Sequence, residues 1–349
     1  MTQIWSPKNN SKPSDFSLKH YEIDDLDVKT AHEGGFYTGY KIGEGRFEGH
    51  LSVAKLGDMT TYKSYDSHTI VRLIKNESSD YIFVVSLDDL SDKKHTTEVQ
   101  TRKGLLYGHK IEPSALVGVI PPNSQCIRVS PPHATCLKLR VKKSALGAQL
   151  TNNPELAEWF NRLDDFKTIQ SRWLARRLRA DLLLLLDEAL VSSSPETLRL
   201  MKNAVLATIV NAFDIEFAGR KGFCTLNHSM PFVRFRLAHP EIQRQLKRFY
   251  RDPTLDPFQT NSLQKFGSRR SMEQSFAHCV GVGPRAYSRI LQLHHCRRKL
   301  MDAARANMRI GELAAMFGFE EHARFSVQYR RHFGETPSRT QQRALGKIA

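Results

Sequence analysis

The sequence predicts an α+β chain of two parts. The first is a β-sandwich or small barrel with helices, and the second is an all-α domain in which a linker helix joins two helix-turn-helix motifs. Three observations lead there. Short extended runs fill residues 36–143, helical periodicity takes over from about 144, and positive charge collects at the C-terminal end. At 349 residues the chain is long enough for two ordinary cores. With 25% charged and 40% hydrophobic residues it has a globular composition. The net charge is +16, and from Pro231 onward 22 Lys/Arg face 9 Asp/Glu, a net of +13. A basic lobe beside a nearly neutral one suits a nucleic-acid module attached to a domain with another task.

Residues 1–20 are polar, carry Pro7 and Pro13, and read as a flexible tail; residues 21–219 are expected to form a regulatory and dimerisation domain. Within it, Phe47–Lys55, Thr69–Ile74, Tyr81–Leu87, Ala115–Ile120, Gln125–Val129 and Thr135–Val141 have strand length and strand composition, punctuated by Pro121-Pro122 and Pro131-Pro132. From 144 to 219 the pattern is helical. Thr168–Leu190 carries a stripe of Trp173, Leu174, Leu178, Leu182, Leu185, Leu186 and Leu190, and Pro195 opens a further helix after Ser194. Those helices can cover the β-layer, and part of the stripe can meet a second subunit to give a homodimer. Residues 220–231 read as a linker and 232–349 as the basic domain, with Pro240 expected to open a helix over Glu241–Arg251.

The strongest pattern lies in Asn307–Ser338. Ile310, Leu313, Ala314 and Phe317 share one helix face, Gly318 supplies a helix stop, and Phe325, Tyr329 and Phe333 recur at turn spacing in a second helix. His322, Ala323, Arg324 and Val327 are left on the opposite side, where a major groove would lie. A first motif at about 255–280 is less regular: P-F-Q-T-N-S-L-Q-K-F-G is polar and predicts a short or tilted first helix, after which Ser268 caps R-R-S-M-E-Q-S-F with Met272 and Phe276 inward. The two motifs are bridged by an expected linker helix over 285–304, 20 residues or about 30 Å. That length is close to the ~34 Å between successive major-groove faces, so one chain can span ~15–20 base pairs of double-stranded DNA.

The pattern I-x-x-L-A-x-x-F-G-F followed by R-F-S-x-x-Y-R-R-x-F-G-E-T-P-S resembles the second helix-turn-helix of the arabinose-regulator (AraC/XylS) family of bacterial transcription factors. The resemblance implies a cupin-like regulatory domain in the β-rich part, a small-molecule effector bound there, and contacts to RNA polymerase that favour activation. It also places Arg270, Glu273 and Gln274 of the first motif at positions that contact bases. Lys41–Gly49, K-I-G-E-G-R-F-E-G, resembles the sensor domain of ethanolamine-utilisation-type regulators.

On this reading Arg324 is the leading base reader, since a guanidinium can bind guanine O6 and N7 together. His322, Ala323, Val327, Arg270, Glu273 and Gln274 are the other base-facing residues. Ser268, Arg269, Arg285, Arg289, Arg330, Arg331 and Arg339 are expected to meet phosphates. Glu320 and Glu321 would repel phosphate but suit a helix start.

An enzyme is not expected. There is no H-x-H metal pair for a cupin oxygenase, no Walker loop, no G-x-S-x-G and no H-E-x-x-H, so neither metal nor other cofactor is expected. Five cysteines without C-x-x-C spacing fit a reducing cytoplasm. The first residues do not form a signal peptide, and the apolar run Leu182–Leu186 is far short of the ~20 residues a membrane span needs. The readings weighed against a sequence-specific regulator are a nonspecific nucleoid or RNA-binding protein and a cupin-type enzyme fused to a DNA-binding module. Activator and repressor both fit the residues themselves.

Overall fold

The computed structural model describes residues 16–87, 105–106, 109–110, 116–148, 168–218, 230–302 and 308–346. They divide into two compact units. Of these, the residues within 16–39 and 48–218 form one, and Tyr40–Phe47 joins the residues from 230 on in the other.

The first unit is built on two antiparallel sheets. The larger runs in the order β1 (Phe16–Ile23), β3 (Gly49–Leu56), β4 (Met59–Asp66), β11 (Ala134–Lys142), β6 (Asp80–Ser86), β9 (Leu116–Ile120) and β12 (Thr168–Gln170). The smaller runs β2 (Tyr37–Ile42), β5 (Thr69–Asn76), β10 (Ser124–Ser130), β7 (Leu105–Leu106) and β8 (His109–Lys110). Strand alternation in β11 shows how the layers are filled. Leu137, Leu139 and Val141 pack with Phe83, Val85, Val117 and Val119 beneath helices α2 (Lys143–Ala148), α3 (Arg172–Leu184) and α4 (Pro195–Ala218). Cys136, two residues from Leu137's neighbour Lys138, instead packs with Ile74, Ile82, Val84, Leu106, Ile120 and Cys126 between the sheets. The fold class expected from the sequence is thus present: a two-sheet β-layer with helical cover, followed by an all-α region.

Several elements differ from expectation. Phe16–His20, read as part of a tail, are strand, and Phe16 is buried. Several elements went unassigned, among them β4 and helix α1 (Leu26–His32), which Asp25 caps by accepting hydrogen bonds from Asp27 N and Val28 N at 2.8 and 3.1 Å. Their buried faces carry Lys29, Ser64 and Asp66, so neither shows an apolar periodicity. The expected helix over Thr168–Leu190 is broken into β12, α3 and a 3-10 turn at Glu188–Ser192. Leu174, Leu178, Leu182 and Leu185 are buried as expected, whereas Trp173 is 47% exposed.

In the second unit α5 spans Met230–Phe249 and contains Pro240, so Pro240 does not open the helix. Proline removes one intrahelical hydrogen bond, but Phe232, Phe235, Ile242, Leu246 and Phe249 bury one continuous face across it. The first helix of the first motif is a 3-10 turn, Thr260–Phe266, in keeping with its polar sequence. Then come α6 (Arg269–Val280), α7 (Pro284–Leu300), α8 (Ile310–Met316), α9 (His322–Phe333) and α10 (Pro337–Ala344). The linker helix α7 has 17 residues rather than 20, so it is about 26 Å long. The remainder of its expected span, from residue 303 on, lies outside the described residues. Its buried residues include Ser288, Gln292, His294, Cys296 and Arg297 besides Tyr287, Leu291, Leu293 and Leu300, so α7 is the central helix of the unit.

Candidate nucleic-acid interface

The two helices expected to face DNA, α6 and α9, stand on separate small cores. Under α6, the rings of Phe235, Phe276 and Tyr287 meet edge to face at centroid distances of 5.0, 5.6 and 5.4 Å. Ser268 caps α6 by accepting from Ser271 N at 3.2 Å, and Met272 and Phe276 are buried. Arg269, Arg270, Glu273 and Gln274 are therefore exposed together on the outer side of its first two turns. The Glu273 carboxylate lies against Gly283, the N-cap of α7. A carboxylate at that place complements the helix dipole.

The second motif turns at a Schellman cap. Phe319 N donates to Ala314 O at 3.1 Å and Gly318 N to Ala315 O at 2.9 Å, with Gly318 at φ +79°. A side chain at Gly318 would press on the Phe249 ring and Gln292, so the turn requires glycine twice over. Helix α9 follows, with Phe325, Tyr329 and Phe333 packed against Leu313, Ala314, Phe317 and Phe319. Its other side presents His322, Ala323, Arg324 and Val327, and Val327 is 66% exposed.

A cleft of about 520 Å³ beside the start of α9 brings Arg285, Arg289 and Arg324 together with Gln328, Glu320 and Glu321. Arg285 and Arg324 are exposed. Arg289 is more constrained. Its guanidinium stacks on Phe319 at 3.6 Å and donates to Gly318 O at 2.8 Å, fastening α7 to the turn. Burial, and then the nearby Arg324, push its pKa down to about 10. Arg330 and Arg339 are exposed. Arg331 is exposed but ion-paired with Glu44 at 2.5 Å, and its carbonyl accepts from Gly45 N at 2.8 Å. Exposed pairs of this kind contribute about 0–1 kcal/mol, so a phosphate can compete for Arg331.

Sequence reasoning missed the residues that hold α9 in place. Arg297 of α7 donates to Glu335 at 2.5 Å, and Glu335 also accepts from Arg343 and from Thr340 Oγ1 at 2.7 Å. Tyr329 Oη lies 2.8 Å from Thr340 Oγ1 and within 3.4 Å of Arg297. The G-E-T-P run was legible as a pattern; that its glutamate finds a buried arginine 38 residues earlier was not. Residues 40–47 were missed as well. Tyr40 Oη accepts from Gln243 Nε2 at 2.9 Å, Lys41 N donates to His294 Nε2 at 3.0 Å, and Lys41 Nζ donates to His332 O at 2.6 Å. Burial, and then Arg297, lower the Lys41 pKa to about 7.

Phe266 to Arg343 is also the stretch, residues 266–343, that matches a family model described as "Helix-turn-helix domain". Residues 266–343 are a helix-turn-helix domain. The match starts at the last residue of the 3-10 turn, so the irregular first helix of the first motif lies almost wholly outside it. A domain of this kind is that of a DNA-binding transcription regulator. Among solved structures, the chain is similar to the AraC-like transcriptional activator CuxR at 11% identity and a TM-score of 0.41, over 80% of this chain and 94% of that one. It is similar to ToxT from Vibrio cholerae at 12% identity and a TM-score of 0.27, over 87% and 97%. Among the described residues, no helix is long and apolar enough to cross a membrane.

Proposed function

We propose that this chain is a sequence-specific transcription regulator that lays α6 and α9 in successive major grooves of one duplex site. The observation that carries the reading is the face of α9. Arg324, His322 and Val327 are exposed together in its first turns, while every aromatic residue of the same helix is buried beneath them. Arg324 reads a guanine, Val327 meets a thymine methyl, and His322 and Ala323 complete the contact surface. On α6, Arg270 and Gln274 read bases, and Glu273 divides its carboxylate between the groove and the start of α7. Ser268, Arg269, Arg285, Arg330, Arg331 and Arg339 meet phosphates, with Arg289 reaching the backbone only from its post at the turn. A linker helix of about 26 Å lies between the two motifs, a length of the same order as the ~34 Å groove repeat.

The finer reading is that of an activator of the arabinose-regulator type, possessing an effector site in the β unit and contacts to RNA polymerase. Exposed Trp173, Leu184 and Leu200 on α3 and α4 support a homodimer through that helical layer. Of Lys41–Gly49, which resembles the ethanolamine-utilisation-type regulators, the part up to Phe47 belongs to the DNA-binding unit, which suits a segment that relays the sensor state.

Gel-shift titration of Arg324→Ala against a selected site tests the assignment. The expected loss is roughly 10–100-fold on the cognate site, the equivalent of ~1–3 kcal/mol, with one base position relaxed. Unchanged sequence preference would remove Arg324 from the reading face.

A further inference from the structure

Between the two sheets of the β unit lies a group of charges that do not balance. Lys29, Arg72, Arg128 and Lys138 are each at most 4% exposed, and among the described residues two buried carboxylates, Glu33 and Asp66, share the cluster. Asp66 holds Lys29 at 2.6 Å and Arg72 at 2.5 Å, and Glu33 holds Lys138 and accepts from Ser64 Oγ at 2.7 Å. The other buried acids of this unit are occupied elsewhere: Asp25 caps α1, and Asp181 takes Arg177 and Thr208.

Arg128 is the odd member. Its Nε is buried and has no hydrogen-bond partner among the described residues, and the same holds for Nε of Arg72. The two arginines are direct cross-strand partners on β10 and β5. Like charges opposite one another destabilise a sheet pair, and a buried cation without a counter-charge costs more still. Lys138, on the facing sheet, is close enough that both arginines act on it. Its pKa is lowered by burial, against the pull of Glu33 and with Arg72 and Arg128 adding to the fall. Arg72 and Lys138 also both lie over the Tyr37 ring, at 5.2 and 5.7 Å. One strand step away, Ile74 faces Cys126, and the interior becomes apolar.

We propose that this interior is a binding site for a small dianion, a phosphate monoester or a dicarboxylate, gripped by Arg128, Arg72 and Lys138. The charge follows from the imbalance: among the described residues, four buried cations against two carboxylates leave two positive charges to neutralise. The unpartnered Nε groups of these two cross-strand arginines supply the donors, and guanidinium N–H groups are strong donors to carboxylate and phosphate oxygens. Resting on the regulator reading above, the dianion is the effector.

The test uses the full-length protein in thermal melts and titration calorimetry with phosphate, a sugar phosphate and succinate, against sodium chloride at equal ionic strength and pH. The expected result is a saturable rise in Tm with phosphates or with the dicarboxylate, which tells the two sources apart. Arg128→Met should fold with an unliganded Tm no lower than that of the parent, since it removes a buried charge, and should weaken binding at least tenfold. Arg128→Lys, which keeps the charge, should bind at an intermediate level. Phosphate binding at the exposed arginines of the second unit would persist in Arg128→Met. A rise of equal size in that variant, or none beyond chloride for any dianion, overturns the site. DNA affinity measured with and without the dianion then scores the effector role. Dianion binding that leaves DNA affinity unchanged overturns that role alone, and a protein that binds no DNA refutes the regulator reading without touching the melts.

Discussion

Replacing Glu335 by alanine should show how the second motif is held. The Glu335 and Arg297 side chains are each only 8% exposed and meet at 2.5 Å, with Arg343 and Thr340 on the same carboxylate. Removing the carboxylate leaves the Arg297 guanidinium buried beside the Tyr329 and Thr340 hydroxyls and over the Phe333 ring at 4.8 Å. Breaking a buried pair from one side costs about 3–5 kcal/mol, because the remaining charge stays desolvated. For a unit of this size that is a fall in Tm on the order of 10 °C. The double variant behaves differently. Arg297→Met with Glu335→Leu removes both charges and should recover most of the loss, since hydrophobic replacement of a buried pair is often neutral. Urea denaturation of the parent, Arg297→Met, Glu335→Leu and the double variant measures the coupling, with Glu335→Ala measured beside them. A loss below about 1 kcal/mol for Glu335→Ala, or a double variant equal to the sum of the singles, would refute the argument. DNA binding should follow, with contacts from α9 weakened before those from α6.

Two further outcomes follow from the geometry of the second unit. Gly334 lies at φ +73°, and a Cβ there would approach the Arg46 backbone nitrogen to 2.9 Å, so Gly334→Ala should cost about 1–3 kcal/mol in urea denaturation; a neutral substitution would contradict the packing of residues 40–47. Stability should also fall in acid, because His239 and His295 are held down by burial to about 4 and 3. The unfolded chain binds their protons from near 6.5 downward and the folded chain does not, so stability rises with pH across that window. His239 alone accounts for about 3 kcal/mol at the acid end. Denaturation midpoints that stay flat between pH 4 and 6.5, or a His239→Asn variant with undiminished acid sensitivity, would contradict this.

What the sequence made legible depended on where partners lie. Strands such as β6 and β11 could be read because one or both of their faces are apolar, and α9 because Phe325, Tyr329 and Phe333 recur on one side. β4 and α1 could not, since the residues they bury include Asp66, Ser64 and Lys29, whose polar partners sit on other elements. The exposed set on α9 followed from elimination of its buried face. The ties of Arg289 to Gly318 O, of Arg297 to Glu335 and of Arg331 to Glu44 did not, because charge alone does not tell a phosphate contact from an internal one. The shorter linker helix has the same origin: Ser288, Gln292, His294 and Arg297 are buried, and nothing in their polarity marks where the helix stops.

The central claim is that two recognition helices read one site, and selection from random duplex DNA by the full-length protein at ~150 mM salt tests it most directly, since nonspecific phosphate binding is largely suppressed there. The account predicts two conserved blocks about one helical turn apart, with Arg324→Ala relaxing a single position in one block and Arg270→Ala acting only in the other. Retained DNA with no shared sequence, or with a single block that both substitutions affect alike, would contradict it.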